Sequence, residues 1–347
     1  MEQHVFDLNP SPTNPRNSEG AFADLADGRI IFCYTHYTGG SEDHAPAYLA
    51  ARYSADQGRT WSEDELLLPN EGGQTTMSVG FVRLPQALAL FYLRKNGPTD
   101  CRAWMRFSTD EAKTWGEPTC TNPWVSYHVV NNDREHMLSS GRLVVPGADH
   151  GAPFTSRGTA YMHYSDDLGR TWKSSKPVAP PEAGGSGLQE PLVVELRDGR
   201  LWMLCRTDLG CQWQAFSEDG GETWSAAEPA PDFPSPCSPI TIKRIPETGD
   251  LLAVWNDHSG RFPLPPRETH QANWGRTPLV AAVSRDDGHT WERHRLLEGD
   301  FDHGYCYIAM HFVPGAVLLG YCAGGPDCGM VLCRLRLRRV PLDWLYA

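Results

Sequence analysis

The chain has 347 residues and a formal net charge of −12 at pH 7, which argues against nucleic acid and anionic membranes as partners because both bind basic surfaces. Its 33 glycines and 28 prolines are spread along the chain, as in a turn-rich all-β protein, and leave no low-complexity segment. No apolar run reaches the length of a membrane span, and residues 1–8 lack the basic start and apolar core of a secretory signal. The sequence as written therefore predicts a cytoplasmic protein without a membrane partner, with a secreted mature form as the alternative.

The ten cysteines form no Cys-x-x-Cys pair, and neither they nor the thirteen histidines show the spacing of a metal site. We therefore predict no metal and no cofactor. Several cysteines, such as Cys33, Cys205 and Cys333, lie inside predicted strands. We interpret them as buried reduced thiols, which are typical of an intracellular protein rather than of a secreted disulfide scaffold.

An eight-residue motif, Ser-x-Asp-x-Gly-x-Thr-Trp, recurs five times along the chain. Its copies begin at Ser54, Ser108, Ser165, Ser217 and Ser284. The second copy carries Ala112 in place of the glycine, and each copy follows an apolar run typical of a strand. Ser and Asp side chains can satisfy backbone donors at a bend, Gly permits a positive φ, and Trp can cover the apolar side of its own hairpin. We interpret this motif, the Asp-box, as a hairpin turn without a chemical role.

The spacing of the boxes indicates a repeated unit. The tryptophans that close them, at positions 61, 115, 172, 224 and 291, are 52 to 67 residues apart. A tight turn recurs at the same period, at 27–28, 85–86, 140–141, 198–199, 248–249 and 314–315. Such a period is typical of supersecondary units that bury their faces against one another, and its length suits the four strands of a propeller blade. Six turns and five boxes predict an all-β, six-bladed β-propeller in a single domain over residues 1–347, with no box in the last blade.

Aligning the blades on these turns predicts which residues share one mouth of the central channel. Nine residues before the glycines of four turns stand Glu19, Asn132, Glu190 and Cys306. Seven residues after Gly199 stands Arg206. Polar groups that converge from separate blades are typical of a binding or catalytic site, although they could also pair only with one another.

With these boxes and mouth residues, nearly the whole chain resembles the sialidase (neuraminidase) superfamily of glycoside hydrolases. Members of that family are six-bladed propellers with Asp-boxes, three arginines, an acid/base aspartate and a Tyr/Glu pair. The resemblance implies an exo-acting, retaining hydrolase that removes a terminal sialic-acid-like sugar from a glycan or glycoconjugate.

The resemblance assigns catalytic roles to three residues. Asp43 precedes the serine of the first box by eleven residues, as the family's acid/base aspartate does, and Glu190 opens blade four as the family's glutamate does. The nucleophilic tyrosine is expected at the start of blade six, in the run Gly-Tyr-Cys-Tyr at 304–307. This places the nucleophile at Tyr305. Tyr307 is the alternative, because strand alternation puts both rings on the same face.

The resemblance also implies arginines that hold the sugar. Arg206 ends the strand after Glu190, and Arg276 precedes the serine of the last box by eight residues, both as in the family. The family's first arginine has no clean counterpart, because its position falls on Ser18-Glu19 and the nearest arginine is Arg16. The predicted substrate-binding residues are Arg16, Glu19, Arg134, Arg206, Arg276 and Tyr307.

Several observations leave the substrate and the reaction open. The acid that the family carries late in blade six is Cys322 here. Arg134 could contact the sugar or only pair with Asp133, and Glu190 with Arg206 could be a structural ion pair. The alternatives are therefore a glycosidase of the same scaffold for a different acidic sugar, and a non-catalytic propeller that binds glycans or protein through its mouth.

The chemistry implied by the resemblance is coherent. A carboxylate on the anomeric carbon would be held by arginines and would repel a carboxylate nucleophile. A tyrosine avoids that repulsion, because it is neutral until a base such as Glu190 takes its proton. Asp43 would protonate the leaving oxygen and later activate water, and for this role we expect a raised pKa under an apolar lid.

Overall fold

The computed structural model describes residues 3–263 and 273–347. These residues form 25 β-strands and one short helix, α1 (Leu342–Tyr346), in six antiparallel sheets. Sheets that follow one another in the chain contact each other, and the sixth sheet contacts the first, so the sheets form a closed ring. The predicted all-β, six-bladed β-propeller is confirmed. No helix within the described ranges has the length and apolar composition to cross a membrane.

The first strand of the chain is β1 (His4–Leu8), which belongs to the last blade. Blade one contains β2 (Arg16–Asp24), β3 (Ile30–Tyr37), β4 (Ala47–Ser54) and β5 (Glu65–Leu68). Blade two contains β6 (Thr75–Leu84), β7 (Ala87–Gly97), β8 (Asp100–Ser108) and β9 (Thr119–Cys120). Blade three contains β10 (His128–Val129), β11 (His136–Met137), β12 (Leu143–Asp149), β13 (Thr159–Ser165) and β14 (Lys173–Ser174), and both β10 and β11 pair with β12.

Blade four contains β15 (Gln189–Glu195), β16 (Leu201–Arg206), β17 (Cys211–Ser217) and β18 (Glu228–Pro234). Blade five contains β19 (Thr241–Arg244), β20 (Leu251–Asn256), β21 (Leu279–Ser284) and β22 (Glu292–Glu298). Blade six contains β23 (Cys306–Val313), β24 (Ala316–Cys322) and β25 (Leu335–Pro341), and β1 is its outermost strand. The ladder between β1 and β25 joins the two ends of the described chain, which the repeat pattern did not predict.

The Asp-boxes are hairpin turns at the outer strands of blades one to five, as the sequence predicts. In the third box the Oγ of Ser165 accepts a hydrogen bond from the N–H of Gly169 at 2.7 Å. The carboxylate of Asp167 accepts from the N–H and the hydroxyl of Thr171 at 2.9 and 2.6 Å. The bonds from Thr171, followed by that from Ser165, lower the pKa of Asp167 to about 2. In the second box Ala112 adopts the left-handed conformation that Gly takes elsewhere, with a φ of 65°.

Each box tryptophan packs against an apolar cluster between two blades, which the sequence expectation did not include, and Trp172 also donates from its indole N–H to the carbonyl of Gly169 in its own box. Trp172 of blade three, for example, lies edge-on to Phe91 of blade two, with ring centroids 6.3 Å apart. The five box tryptophans each join the apolar cluster shared with the preceding blade. At the interface of blades five and six, Trp344 of α1 packs against the shared cluster. One large ring per interface explains why the motif repeats with the blade.

The inner strands of four blades carry the same β-bulge, and this bulge positions the site. In each, two residues of the inner strand face one residue of its neighbour. The first bulged residue has a positive φ in every case: Glu19 at 54°, Ser78 at 53°, Glu190 at 44° and Tyr307 at 59°. An extra residue reverses the alternation of faces along a strand, and bulges of this kind re-aim side chains near active sites. The four bulged side chains all line one cavity.

Candidate active site

A cavity of about 510 Å³ lies at the mouth of the ring where the bulges are. Side chains from all six blades line it. Among them are Arg16, Glu19, Asp43, Ser78, Lys95, Asn131, Glu190, Arg206, Trp274, Arg276 and Tyr307. Seven of the nine site residues predicted from the sequence are therefore brought together, and Tyr305 and Arg134 are not.

A tyrosine and a glutamate are in hydrogen-bond contact in this cavity. The hydroxyl of Tyr307 donates to Oε1 of Glu190 at 3.2 Å. Nη1 of Arg206 donates to both carboxylate oxygens of Glu190 at 2.9 Å and lies 3.5 Å from the Tyr307 hydroxyl. Burial alone would raise the pKa of Glu190, but Arg206, and then Arg276 and Arg134, lower it below its ordinary value. Burial and the Glu190 charge raise the pKa of Tyr307. These shifts favour an ionised Glu190 and a neutral Tyr307, so Glu190 can accept the proton of the phenol.

The assignment of the nucleophile to Tyr305 is contradicted by its position. Its side chain is buried with an apolar cluster between blades five and six, and its ring centroid lies 6.3 Å from that of Tyr321. Its backbone N–H donates to the carbonyl of Arg276 at 2.7 Å. Simple alternation predicted one common face for Tyr305 and Tyr307, but the bulge at Tyr307 breaks that alternation. Tyr307 rather than Tyr305 therefore lies beside Glu190.

Arg16 holds the loop that carries Asp43. Its Nη1 donates to Oδ1 of Asp43 at 2.5 Å and to the carbonyl of Ser41 at 3.1 Å. On the other side of the loop, Nζ of Lys95 donates to the carbonyl of Asp43 at 2.8 Å. Desolvation raises the pKa of Asp43, but Arg16, followed by Lys95 and Arg276, lowers it below its ordinary value. The raised pKa expected for an acid is therefore not found here.

Among the residues that the structure describes, three arginines line the cavity, and the one from blade one is Arg16. It is completely buried in β2. Arg276 comes from the loop before β21, and its guanidinium lies over the rings of Trp274 and Tyr307 at 5.3 and 5.2 Å. Its Nη1 donates to Sγ of Cys306 at 2.9 Å. Within the described ranges no carboxylate lies within ion-pair distance of Arg276, so this arginine has capacity to bind an anion.

Arg134 lies deeper in the channel and lines a second cavity of about 580 Å³ at the opposite mouth. It is buried, and its Nη1 donates to Oγ1 of Thr241 at 3.1 Å. Asp133 instead pairs with Nζ of Lys243 at 2.7 Å. Neither sequence interpretation of Arg134, as a sugar contact in the candidate site or as a partner of Asp133, agrees with this geometry.

Sequence reasoning missed several residues of the cavity. Ser78 occupies the bulge of blade two, and the repeat alignment passed over it because the turn at 85–86 has no glycine to count from. Lys95 lies near the end of β7, where it pairs with Thr75, and the repeat alignment did not include this position. Trp274 lies in the loop between β20 and β21, where no motif signals it.

The fold and the site together define a six-bladed propeller of the sialidase type. Residues 28–316 match the model of the BNR repeat-like domain, and the chain belongs to this family. The resemblance to sialidases found in the sequence is thereby confirmed.

Curated relatives carry the sialidase name. The sialidase of Micromonospora viridifaciens is 27% identical over 305 residues, which cover 78% of this chain and 44% of that protein. The anhydrosialidase of Macrobdella decora is 34% identical over 142 residues, which cover 38% of this chain and 17% of that protein. The chain therefore spans less than half the length of these two relatives.

Solved structures show the same fold. A protein of unknown function from Dyadobacter fermentans matches with a TM-score of 0.76 at 19% identity, covering 98% of both chains. The intramolecular trans-sialidase of Ruminococcus gnavus matches with a TM-score of 0.71 at 15% identity, covering 99% of this chain and 98% of that one. Trypanosoma rangeli sialidase, in a covalent intermediate with 2,3-difluorosialic acid, matches with a TM-score of 0.71 at 16% identity, covering 99% of this chain and 60% of that one.

Proposed function

We propose that the protein is an exo-acting, retaining glycoside hydrolase that removes a terminal sialic-acid-like sugar from a glycan or glycoconjugate. The observation that carries the proposal is the hydrogen bond from Tyr307 to Glu190 in a cavity that also presents three arginines. A sugar with a carboxylate on its anomeric carbon needs both features. Arginines bind the anion, and a neutral phenol approaches the adjacent carbon without charge repulsion. Relatives named sialidase support the same reading.

The first half of the reaction forms a glycosyl-enzyme bond. Glu190 accepts the phenolic proton while the oxygen of Tyr307 attacks the anomeric carbon. The bond to the aglycone oxygen breaks with its electron pair, and Asp43 supplies the proton to that oxygen. In the second half Asp43 takes a proton from water, and the resulting hydroxide attacks the same carbon. The Tyr307 oxygen then leaves and recovers its proton from Glu190, and two inversions give net retention.

Asp43 must be protonated for the first half, although Arg16 lowers its pKa. An anionic sugar changes that balance, because its carboxylate brings negative charge to Arg16 and Arg276. Both arginines contribute to the low pKa of Asp43. Offsetting their charge raises the pKa of Asp43 toward the acid form. Binding of the substrate's carboxylate therefore favours the protonated form of Asp43, which the first half of the reaction requires.

A second candidate is the same reaction on a different acidic sugar. Glu19 favours it, because this buried carboxylate lines the cavity beside Arg16 and faces whatever substituent the sugar presents there. The two candidates share the nucleophile, the base and the arginines. They differ only in the sugar that is accepted.

The experiment that tests the proposal follows the hydrolysis of an aryl α-ketoside of sialic acid by proton NMR. We expect the α-anomer of the free sugar to appear first and to mutarotate afterwards, because the mechanism retains configuration. An initial β-anomer would contradict the double displacement. Turnover restricted to another acidic ketoside in a small panel would select the second candidate, and turnover of none of them by folded protein would overturn both.

A further inference from the structure

Glu19 is a buried acid in the cavity that the proposed reaction does not use. It is the first residue of the bulge in β2, with a φ of 54°, and only 5% of its surface is exposed. Its Oε2 accepts a hydrogen bond from the hydroxyl of Ser78 at 3.1 Å. Its Oε1 lies 3.8 Å from Nη2 of Arg16. A left-handed, non-glycine backbone costs energy, and such strain is found preferentially at functional positions.

Arg16 differs from the other two arginines in the charge that surrounds it. Its guanidinium faces two carboxylates, Asp43 at 2.5 Å and Glu19 at 3.8 Å. Within the part of the chain that the structure describes, Glu190 is the only carboxylate that pairs with Arg206, and none pairs with Arg276. A third carboxylate, from a substrate, therefore meets less positive potential at Arg16 when Glu19 is ionised.

The surroundings of Glu19 place its change of charge near neutral pH. The titratable groups that act on it from the neighbouring elements are Arg16 in β2, Tyr37 in β3, Asp43 in the next loop, Cys101 in β8, Tyr127 before β10 and Glu190 in β15. Burial raises its pKa to about 7; Arg16 opposes this rise, and the charges of Asp43 and Glu190 add to it. The hydrogen bond from Ser78 lowers the pKa.

We propose that Glu19 is a positioning residue that competes with the substrate's carboxylate for Arg16, so that acidic sugars bind tightly only when Glu19 is protonated. This inference rests on the proposed function, because it requires an anionic ligand in the same cavity. Nη2 of Arg16 donates to Oγ of Ser18 at 3.2 Å, so Glu19 acts on it through charge, at 3.8 Å. A protonated Glu19 leaves the positive charge of Arg16 to the ligand, and an ionised Glu19 offsets that charge and repels the ligand. By linkage, the bound anion also raises the pKa of Glu19. The free energy of this pKa shift equals the binding free energy that is lost when Glu19 is ionised.

The test measures the dissociation constant of an unsaturated sialic-acid analogue, 2-deoxy-2,3-dehydro-N-acetylneuraminic acid, by calorimetry between pH 5.5 and 8.5. For the wild type we expect the Kd to rise by about tenfold over this range, since each unit by which the ligand raises the pKa of Glu19 is a tenfold change. Glu19→Gln keeps the size and the Ser78 contact of the side chain, and should bind tightly with a nearly constant Kd. Where turnover is measurable, the pH effect should lie in KM and not in kcat.

Two further variants separate the proposed role from a structural one. Ser78→Ala removes a bond that lowers the pKa of Glu19, so the rise in Kd should move to higher pH. Glu135→Gln is the matched control, because burial also raises the pKa of Glu135 to about 8, but Glu135 lines the opposite cavity. Glu135→Gln should keep the wild-type dependence of Kd on pH.

A wild-type Kd that does not change with pH, or a pH dependence that persists in Glu19→Gln, would overturn the proposal. A wild type that does not bind the analogue at any pH would overturn the proposed function and with it this inference.

Discussion

Replacing Tyr307 with phenylalanine is expected to lower kcat/KM for an aryl sialoside by at least about a thousandfold, because removal of an attacking oxygen leaves only binding and electrostatic contributions. The Tyr307 hydroxyl is the phenol that contacts Glu190 in the cavity, at 3.2 Å from Oε1. The loss should fall mainly on kcat, since the substitution keeps the arginines that we propose to bind the anion. Initial rates at several substrate concentrations separate kcat from KM.

Tyr305→Phe is the matched control for this substitution. The two tyrosines are two positions apart in the same segment, but Tyr305 is packed in the cluster between blades five and six. Its variant should keep kcat/KM within about threefold of the wild type, because it removes no group that touches the reacting atoms. The reverse result, with activity lost in Tyr305→Phe and kept in Tyr307→Phe, would contradict the geometry of the bulge.

Asp43→Asn is expected to affect substrates according to their leaving groups. For a sialyl disaccharide, whose alcohol leaves poorly, we expect kcat/KM to fall by about a hundredfold to ten-thousandfold, the usual range for loss of a general acid. For an aryl sialoside the loss should be much smaller in the glycosylation step, because a phenolate leaves without a proton. Comparing the two substrates in one variant makes the leaving group an internal control.

Equal losses on both substrates would contradict the acid role of Asp43. That result would indicate that Asp43 acts only through its contact with Arg16, which binds the loop at both Asp43 and Ser41. The thermal midpoint of unfolding of Asp43→Asn should be measured beside the kinetics, so that a change in the loop is not taken for a change in proton transfer.

The repeat made most of the fold predictable. A box that recurs with the turns marks each blade, so the number of blades follows from the sequence. The pairing of β1 with β25 did not follow, because residues 4–8 carry no part of the repeat. The packing of Trp172 against Phe91 of the preceding blade was also missed, since the box was interpreted as part of one isolated hairpin. Both misses concern contacts between units, which the internal pattern of one unit does not contain.

The candidate site was predictable where spacing along the chain fixes position in space. Glu190 and Arg206 line the cavity that the repeat alignment indicated, and Asp43 and Arg276, which the family resemblance implied, line it as well. The choice of tyrosine failed at the bulge, because alternation of faces holds only in a regular strand and a positive φ at Tyr307 is not visible in the residue types.

The same bulge in β2 made the first arginine hard to assign. Counting from the turn led to Ser18-Glu19, whereas the arginine of this strand that lines the cavity is Arg16. Arg134 failed for a different reason, since it lies between β10 and β11, where blade three has no continuous inner strand on which to count from the turn. Sequence spacing therefore predicted the number and order of the blades. Irregularities of the backbone determine which side chains line the cavity.

The measurement that tests the central claim most directly is covalent trapping with 2,3-difluorosialic acid, followed by mass spectrometry of the digested protein. The fluorine beside the anomeric carbon slows both steps, because it withdraws electron density and so destabilises the positive charge that develops on the sugar in each transition state. The fluoride leaving group still lets the first step proceed. We predict one added 3-fluorosialyl group, which is the mass of difluorosialic acid minus HF, on the oxygen of Tyr307, and no adduct in Tyr307→Phe. An adduct on Tyr305 or on a carboxylate, or folded protein that binds sialic-acid analogues but forms no adduct, would contradict it.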